Sequence, residues 1–166
     1  PPVEDLRDNS AEWDDIIPKL REVILEETGR EMPIGIMEVN SNWSDAAGGD
    51  TSPDSHLSAI WWSDALTRMI KQDVDMVTHF ALANQSSGWA LMDRTSPRPA
   101  YYVYQMFKEM GEVKVETGTD QRYVNILATK RTADDALTVL LINLAAEPAE
   151  IPFEIGGEST LEVAER

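Results

Sequence analysis

Two short apolar runs, Pro33 to Asn40 (PIGIMEVN) and Val74 to Ala83 (VDMVTHFALA), constrain this chain more than anything else in it, because each lies between helical patterns. Strand, helix and strand in that order form a right-handed crossover, which joins parallel neighbours in one sheet. The first run lacks clean alternation, as expected of a strand covered on both faces. Ahead of it, Ser10 offers a cap, and Trp13, Ile16, Ile17, Leu20, Val23 and Ile24 recur at three-and-four spacing until Gly29 supplies a C-terminal stop. Pro18 removes a donor from that pattern, so the helix should either kink there or begin its regular part near the proline. Between the strands, residues 40–55 read as loop. Ser52-Pro53 then reads as cap and first turn of a helix carrying Leu57, Ile60, Trp61, Ala65, Met69 and Ile70 on one face. The loop 84–97 leads to a third helix that opens at Pro99, carries Val103, Met106, Phe107 and Met110 as its apolar stripe, and ends at Gly111.

After Gly111 the texture changes. Residues 112–116, 123–129, 137–144, 150–155 and 160–163 are short, β-branched-rich runs separated by turn residues, and they predict antiparallel strands in a sheet or sandwich. The class expected is α/β plus all-β, with residues 1–111 as one domain and 112–166 as a small β-sandwich. Two parallel strands leave exposed edges and cannot cover three amphipathic helices. A (β/α)₈ barrel needs roughly 200 to 250 residues, so the first domain fits a partial barrel: its last two βα units and one preceding helix. The remainder is expected from an N-terminal portion of the same protein or from self-association. The opening Pro1-Pro2-Val3-Glu4, with no initiator Met and no signal-peptide pattern, fits a processed or truncated product.

Lys and Arg number 14 against 30 Asp and Glu, a net charge of −16, which leaves no material for a contiguous basic surface and excludes nucleic acid as the expected partner. No apolar run approaches the ~18 residues of a membrane span. The absence of cysteine excludes disulfides, thiolate metal sites and a Cys nucleophile, and leaves the compartment, secreted or cytoplasmic, undecided.

For chemistry, Glu38 comes first. It stands at the carboxyl end of an apolar strand, where parallel α/β sheets place their ligand sites and where Asn40, Asn42 and Trp43 also emerge. The second strand delivers His79, and the loop after it Asn84, Gln85 and Trp89. Amides, a histidine and tryptophans beside a carboxylate suit a polyhydroxylated ligand, with hydrogen bonds to hydroxyls and flat apolar faces for the C–H side of a sugar ring. The plainer alternatives are a structural carboxylate at Glu38, a hydrogen-bonded core histidine at His79, and packing for Trp61 and Trp62. Asp45, Asp50 and Asp54 match no EF-hand spacing, and His56 and His79 belong to no paired ligand motif, so no metal is expected. Without a phosphate-cradling glycine loop or a Gly-x-Ser-x-Gly elbow, no cofactor is expected either.

The run PIGIMEVN, then VDMVTHFALAN at 74–84, Gly88-Trp89-Ala90-Leu91-Met92, and Pro97-Arg98-Pro99-Ala100-Tyr101-Tyr102 entering a helix resemble the seventh and eighth βα units of clan A retaining glycoside hydrolases. The likeness is nearest to the α-L-arabinofuranosidase and β-xylosidase types. Residues 137–155 (LTVLLINLAAEPAEIPFEI) are similar to the β-sandwich that follows the barrel in those enzymes. The resemblance implies a carbohydrate substrate, a plant-type or related polysaccharide or oligosaccharide, and double-displacement hydrolysis with Glu38 as nucleophile. It implies subsite lining by Asn40, Asn42, Trp43, His79 and Trp89, although His79 stands where a tryptophan is often found. The family's acid/base Glu follows an Asn, and no Asn-Glu pair occurs in these 166 residues. By itself the chain is therefore expected to be inactive. Two other readings stand beside this one: a non-catalytic barrel relative that binds glycans or a protein partner, and an assembly domain whose sheet edges another copy covers.

Overall fold

The computed structural model describes residues 2–43, 48–84, 88–152 and 154–156. Helix α1 (Val3–Asn9) passes through a 3₁₀ turn (Ser10–Glu12) into α2 (Trp13–Thr28). Ser10 does not cap α2, whose start has no side-chain cap; the serine is buried, and its hydroxyl donates to Asp64 Oδ2 at 2.7 Å. Pro18 lies inside α2, so the helix starts well before the proline. Gly29 ends it as expected, in the left-handed region (φ 70°), with its N–H donating to the Leu25 carbonyl at 2.8 Å.

Strand β1 (Gly35–Val39) pairs in parallel with β2 (Met76–His79), Gly35 opposite Met76 and Val39 opposite His79, and α3 (His56–Lys71) makes the crossover. The cap of α3 is Ser55 rather than Ser52: the Ser55 hydroxyl accepts the Ser58 N–H at 3.0 Å, and Ser52-Pro53 lies in the preceding turn. Helix α3 is the centre of the molecule. Its Trp61, Trp62, Ala65 and Met69 are buried with Leu6, Val39, Leu91, Ala100, Val103 and Leu144. Among the described residues the sheet has two strands, and only one face is covered: Val39 is buried, while Met37 and Met76 are 62% and 53% exposed. The expectation of a strand covered on both sides is corrected accordingly, because among the described residues Met37 and Met76 on that face are left exposed.

Within the expected loop, β3 (Met92–Asp93) and β4 (Ser96–Pro97) form a minimal hairpin, after which α4 (Pro99–Lys108) opens at Pro99. The helix stops before Gly111, and the glycine serves another purpose. A Cβ there would lie 2.4 Å from both the carbonyl carbon and the oxygen of Lys130, and the Gly111 N–H donates to Thr129 Oγ1 at 2.6 Å. This is a close backbone crossing that only glycine fits.

Strands β5 (Val113–Val115), β6 (Val124–Lys130) and β7 (Leu137–Asn143) make one antiparallel sheet with β6 in the middle. Residues 124–129 of β6 are all buried. One face meets α3 through a polar joint: Asp64, 0% exposed, receives Ser10, Arg68 Nε at 2.7 Å and Asn125 Nδ2 at 2.7 Å, and Asn125 Oδ1 receives Lys71 Nζ at 2.8 Å. The other face, with Ile126, Ala128 and Val139, borders a cavity of about 460 Å³ that residues 151, 152 and 154–156 close from outside. Residues 150–152 and 154–156 are irregular, not the expected strand; Phe153 and residues 157–166, and with them the expected run 160–163, lie outside the described residues. Among the described residues the architecture is therefore mixed helix and sheet, with three small sheets, no closed barrel and no second layer facing the β5–β6–β7 sheet. No helix of the described residues is long and apolar enough to cross a membrane.

Candidate functional site

Parallel pairing brings the carboxyl ends of β1 and β2 together. Val39 lies opposite His79, and the Phe80 N–H donates to the Val39 carbonyl at 3.0 Å. Glu38, Asn40 and His79 consequently emerge from one end of one sheet.

Glu38 is exposed, and its carboxylate forms no hydrogen bond or ion pair with the described residues. It borders a recess of about 210 Å³ together with Asn9, Glu12, Trp13, Ile16, Val39, Asn40 and Trp61. Two carboxylates and two indoles thus share one opening that no basic side chain lines. Glu12 and Asn9 were not singled out in the sequence. Neither carries a motif, and it is the 3₁₀ turn, itself unsignalled, that swings them toward the end of β1. Trp61 belongs to the α3 stripe as expected, and its indole N–H donates to Asn9 Oδ1 at 2.5 Å, which fixes one wall.

Asn40 borders the same recess, but its amide is committed elsewhere. Nδ2 donates to the Phe80 carbonyl at 2.5 Å and to the Trp89 carbonyl at 3.0 Å, while Oδ1 accepts the Ser41 N–H at 2.8 Å. The peptide bond between Phe80 and Ala81 is cis. Trp89 is half-buried, its ring 6.0 Å from that of Phe80. Asn42 is half-buried and Trp43 is 91% exposed, and neither borders the Glu38 recess.

His79 faces another way. Its ring packs edge-on against Trp62, centroids 5.1 Å apart, and Nδ1 is buried without a hydrogen-bond partner among the described residues. Burial lowers its pKa to about 4, against a smaller opposing pull from a hydrogen bond to the Ala81 backbone. The imidazole is neutral near pH 7 and lies outside the recess. Tyr104, whose ring is 6.1 Å from Trp62, is also buried enough that its hydroxyl is pushed above the usual phenol range.

Of the acidic loop, Asp54 accepts the Ser52 hydroxyl and Asp50 is exposed; Asp45, like Gln85 of the other loop, lies outside the described residues. No group of three or more metal-ligating side chains occurs among the described residues. His56 opens α3, far along the chain from His79 and in no such group. No protein-family model matches the chain, and no curated protein matches it.

Proposed function

We propose that this chain is the carboxy-terminal part of a retaining glycoside hydrolase of the α-L-arabinofuranosidase and β-xylosidase type, comprising the last two βα units of a barrel and an accessory β domain. Glu38 is the nucleophile. One observation carries the reading: a carboxylate with no partner among the described residues stands exposed at the carboxyl end of a parallel strand, beside an indole-walled recess. Such a group contributes little to the fold, and in parallel α/β architectures that position is where ligands bind.

In the first half of the reaction a Glu38 oxygen attacks the anomeric carbon, the glycosidic bond breaks, and the leaving oxygen takes a proton from a second carboxylic acid. In the second half that group, now a carboxylate, removes a proton from water, which displaces Glu38 and restores it. The two carboxyls must stand about 5 Å apart, and the second comes from a strand outside these residues. The exposed side chains of Met37, Met76, Phe80 and Leu82 mark the face against which the rest of the barrel packs, supplied by the same protein or by another copy.

The test is a mechanism-based 2-fluoro glycoside with an activated leaving group, offered to the full-length protein and followed by peptide mass mapping. Label is expected on the peptide carrying Glu38 and absent from Glu38→Gln. Label on a peptide lacking Glu38, or undiminished turnover by Glu38→Gln, overturns the reading.

A further inference from the structure

Asn40 lies two residues beyond Glu38, and the chemistry of a polyol site makes its amide an obvious sugar ligand. The hydrogen bonds point to a different role. A primary amide has two N–H groups, and both are taken: one by the Phe80 carbonyl at 2.5 Å, the other by the Trp89 carbonyl at 3.0 Å. Its oxygen holds the Ser41 N–H at 2.8 Å. The line continues inward, since the Ser41 hydroxyl donates to Ser58 Oγ at 2.8 Å and the Ser58 hydroxyl to the Ser52 carbonyl at 2.7 Å. All three serines are buried. One side chain therefore ties the end of β1 to the chain leaving β2, to the Trp89 turn, and through Ser41 to the first turn of α3.

We infer that Asn40 is a positioning residue: it clamps the Trp89 turn onto the carboxyl end of β1 and so sets where the Trp89 ring stands relative to Glu38, without itself contacting ligand. Both donors would have to leave carbonyl partners to reach a hydroxyl. Phe80 N–H also donates to the Val39 carbonyl, and Leu91 N–H to Ala81 and Met92 N–H to Leu82, at 2.9 and 3.1 Å, join the turn to the chain after β2. The catalytic consequence rests on the reading of Glu38 given above; the clamp itself does not.

Two variants test it. Asn40→Asp keeps the acceptor for Ser41 but sets an anionic oxygen against two carbonyls; Asn40→Ala removes the donors without adding charge. In this chain, amide hydrogen exchange at Phe80, Leu91 and Met92 is expected to rise about tenfold or more in both variants, with Leu127 and Ile142 in the β sheet unchanged. Unaltered exchange at the three amides overturns the clamp, and so does a uniform rise across α3 and the β sheet, which would make Asn40 a general stabiliser. In the full-length protein, Asn40→Asp and Trp89→Ala are each expected to raise the fluoro-glycoside concentration for half-maximal labelling, with the double variant no worse than Trp89→Ala. Additive losses would mean that Asn40 touches ligand directly. If the unmodified full-length protein takes no label on Glu38, the glycosidase reading falls, and the exchange data alone still decide the clamp.

Discussion

Asp64 lies wholly inside the molecule with its two oxygens receiving Ser10, Arg68 and Asn125, whereas Glu38 stands in the open with no partner among the described residues. A carboxylate taken out of water costs several kcal/mol unless donors replace the lost hydration, and the fold brings donors to Asp64 from the 3₁₀ turn, α3 and β6. Arg68 is in turn paired with Asp14 of α2. The joint holds the helices and the β5–β6–β7 sheet in register. At Glu38 nothing was assembled to offset a charge, because the charge is still hydrated. Burial with partners marks a group the fold depends on; under the proposed reading, exposure without partners at a strand end leaves Glu38 available to a substrate.

The sharpest way to break that contrast is Asp64→Ala. It leaves a half-buried guanidinium, a serine and an asparagine amide facing an empty space, and is expected to cost about 3–5 kcal/mol, read as a lower urea midpoint with an unchanged slope. Since domains of this size are stable by only about 5–15 kcal/mol, the variant should sit near the limit of folding. A loss below about 1 kcal/mol would mean that water replaces the carboxylate and the joint is not buried as described.

His79 occupies an intermediate position, half-buried where Asp64 is fully buried, with its Nδ1 atom buried and unpartnered among the described residues, and it predicts a pH dependence. The unfolded chain takes up this proton near pH 6.5 and the folded chain only near 4. The unfolded state therefore binds more protons across that interval, and stability is full above pH 6.5 and falls as the pH drops toward 4, by up to about 3 kcal/mol. Phenylalanine can keep the contact with Trp62 without ionising. The difference between wild-type and His79→Phe unfolding free energies should slope between pH 6.5 and 4 and be flat above it; a flat difference throughout would show a hydrated imidazole.

Gly111 and Gly118 sharpen the same contrast at the level of the backbone. Alanine at Gly111 puts a methyl 2.4 Å from Lys130 backbone atoms, while at Gly118 it meets nothing within 4 Å. Gly111→Ala should cost about 1–3 kcal/mol, and Gly118→Ala should be neutral or stabilise by up to about 1 kcal/mol, both measured by thermal unfolding. Equal effects would remove the close crossing.

Much of the helical frame was readable because its signals are local: the stripe of α3, apart from Ile60, which is exposed, and Trp62, which is buried though off the stripe, the left-handed stop at Gly29, the proline opening α4, and two apolar runs whose order demands parallel pairing. What was unreadable depends on contacts distant in the chain. Ser52 and Ser55 are both good caps by composition, but the Ser52 hydroxyl is bonded to Asp54, and it is Ser55 that accepts the Ser58 N–H. Gly111 looked like a helix stop because a close crossing with Lys130 leaves no trace in neighbouring residues. Asp64 did leave one: it interrupts the apolar stripe of α3 four residues before Arg68, a spacing that pairs charges on a helix, yet its donors Ser10 and Asn125 lie far away in sequence. At the site, Glu38 and Asn40 could be placed together from strand polarity alone. Glu12 and Asn9 could not, since their approach depends on the angle at which α1 meets α2.

Glu38→Gln has the smallest expected effect on folding and the largest on labelling. The substitution keeps the side chain's length and shape and exchanges a hydrated carboxylate for a hydrated amide, so unfolding free energy should stay within about 0.5 kcal/mol of wild type. No buried donor loses an acceptor, because none points at Glu38 among the described residues. Covalent labelling of the full-length protein by a fluorinated glycoside should disappear, since an amide oxygen is too weak a nucleophile to displace the leaving group. The two measurements together separate the roles in a way neither does alone. If the variant lost stability on the scale expected of Asp64→Ala, the Glu38 carboxylate would be one the fold depends on, and the contrast with Asp64 would collapse. If stability and labelling were both untouched, the group would be an ordinary surface residue. Only unchanged stability joined to abolished labelling matches a carboxylate held free at a strand end for chemistry.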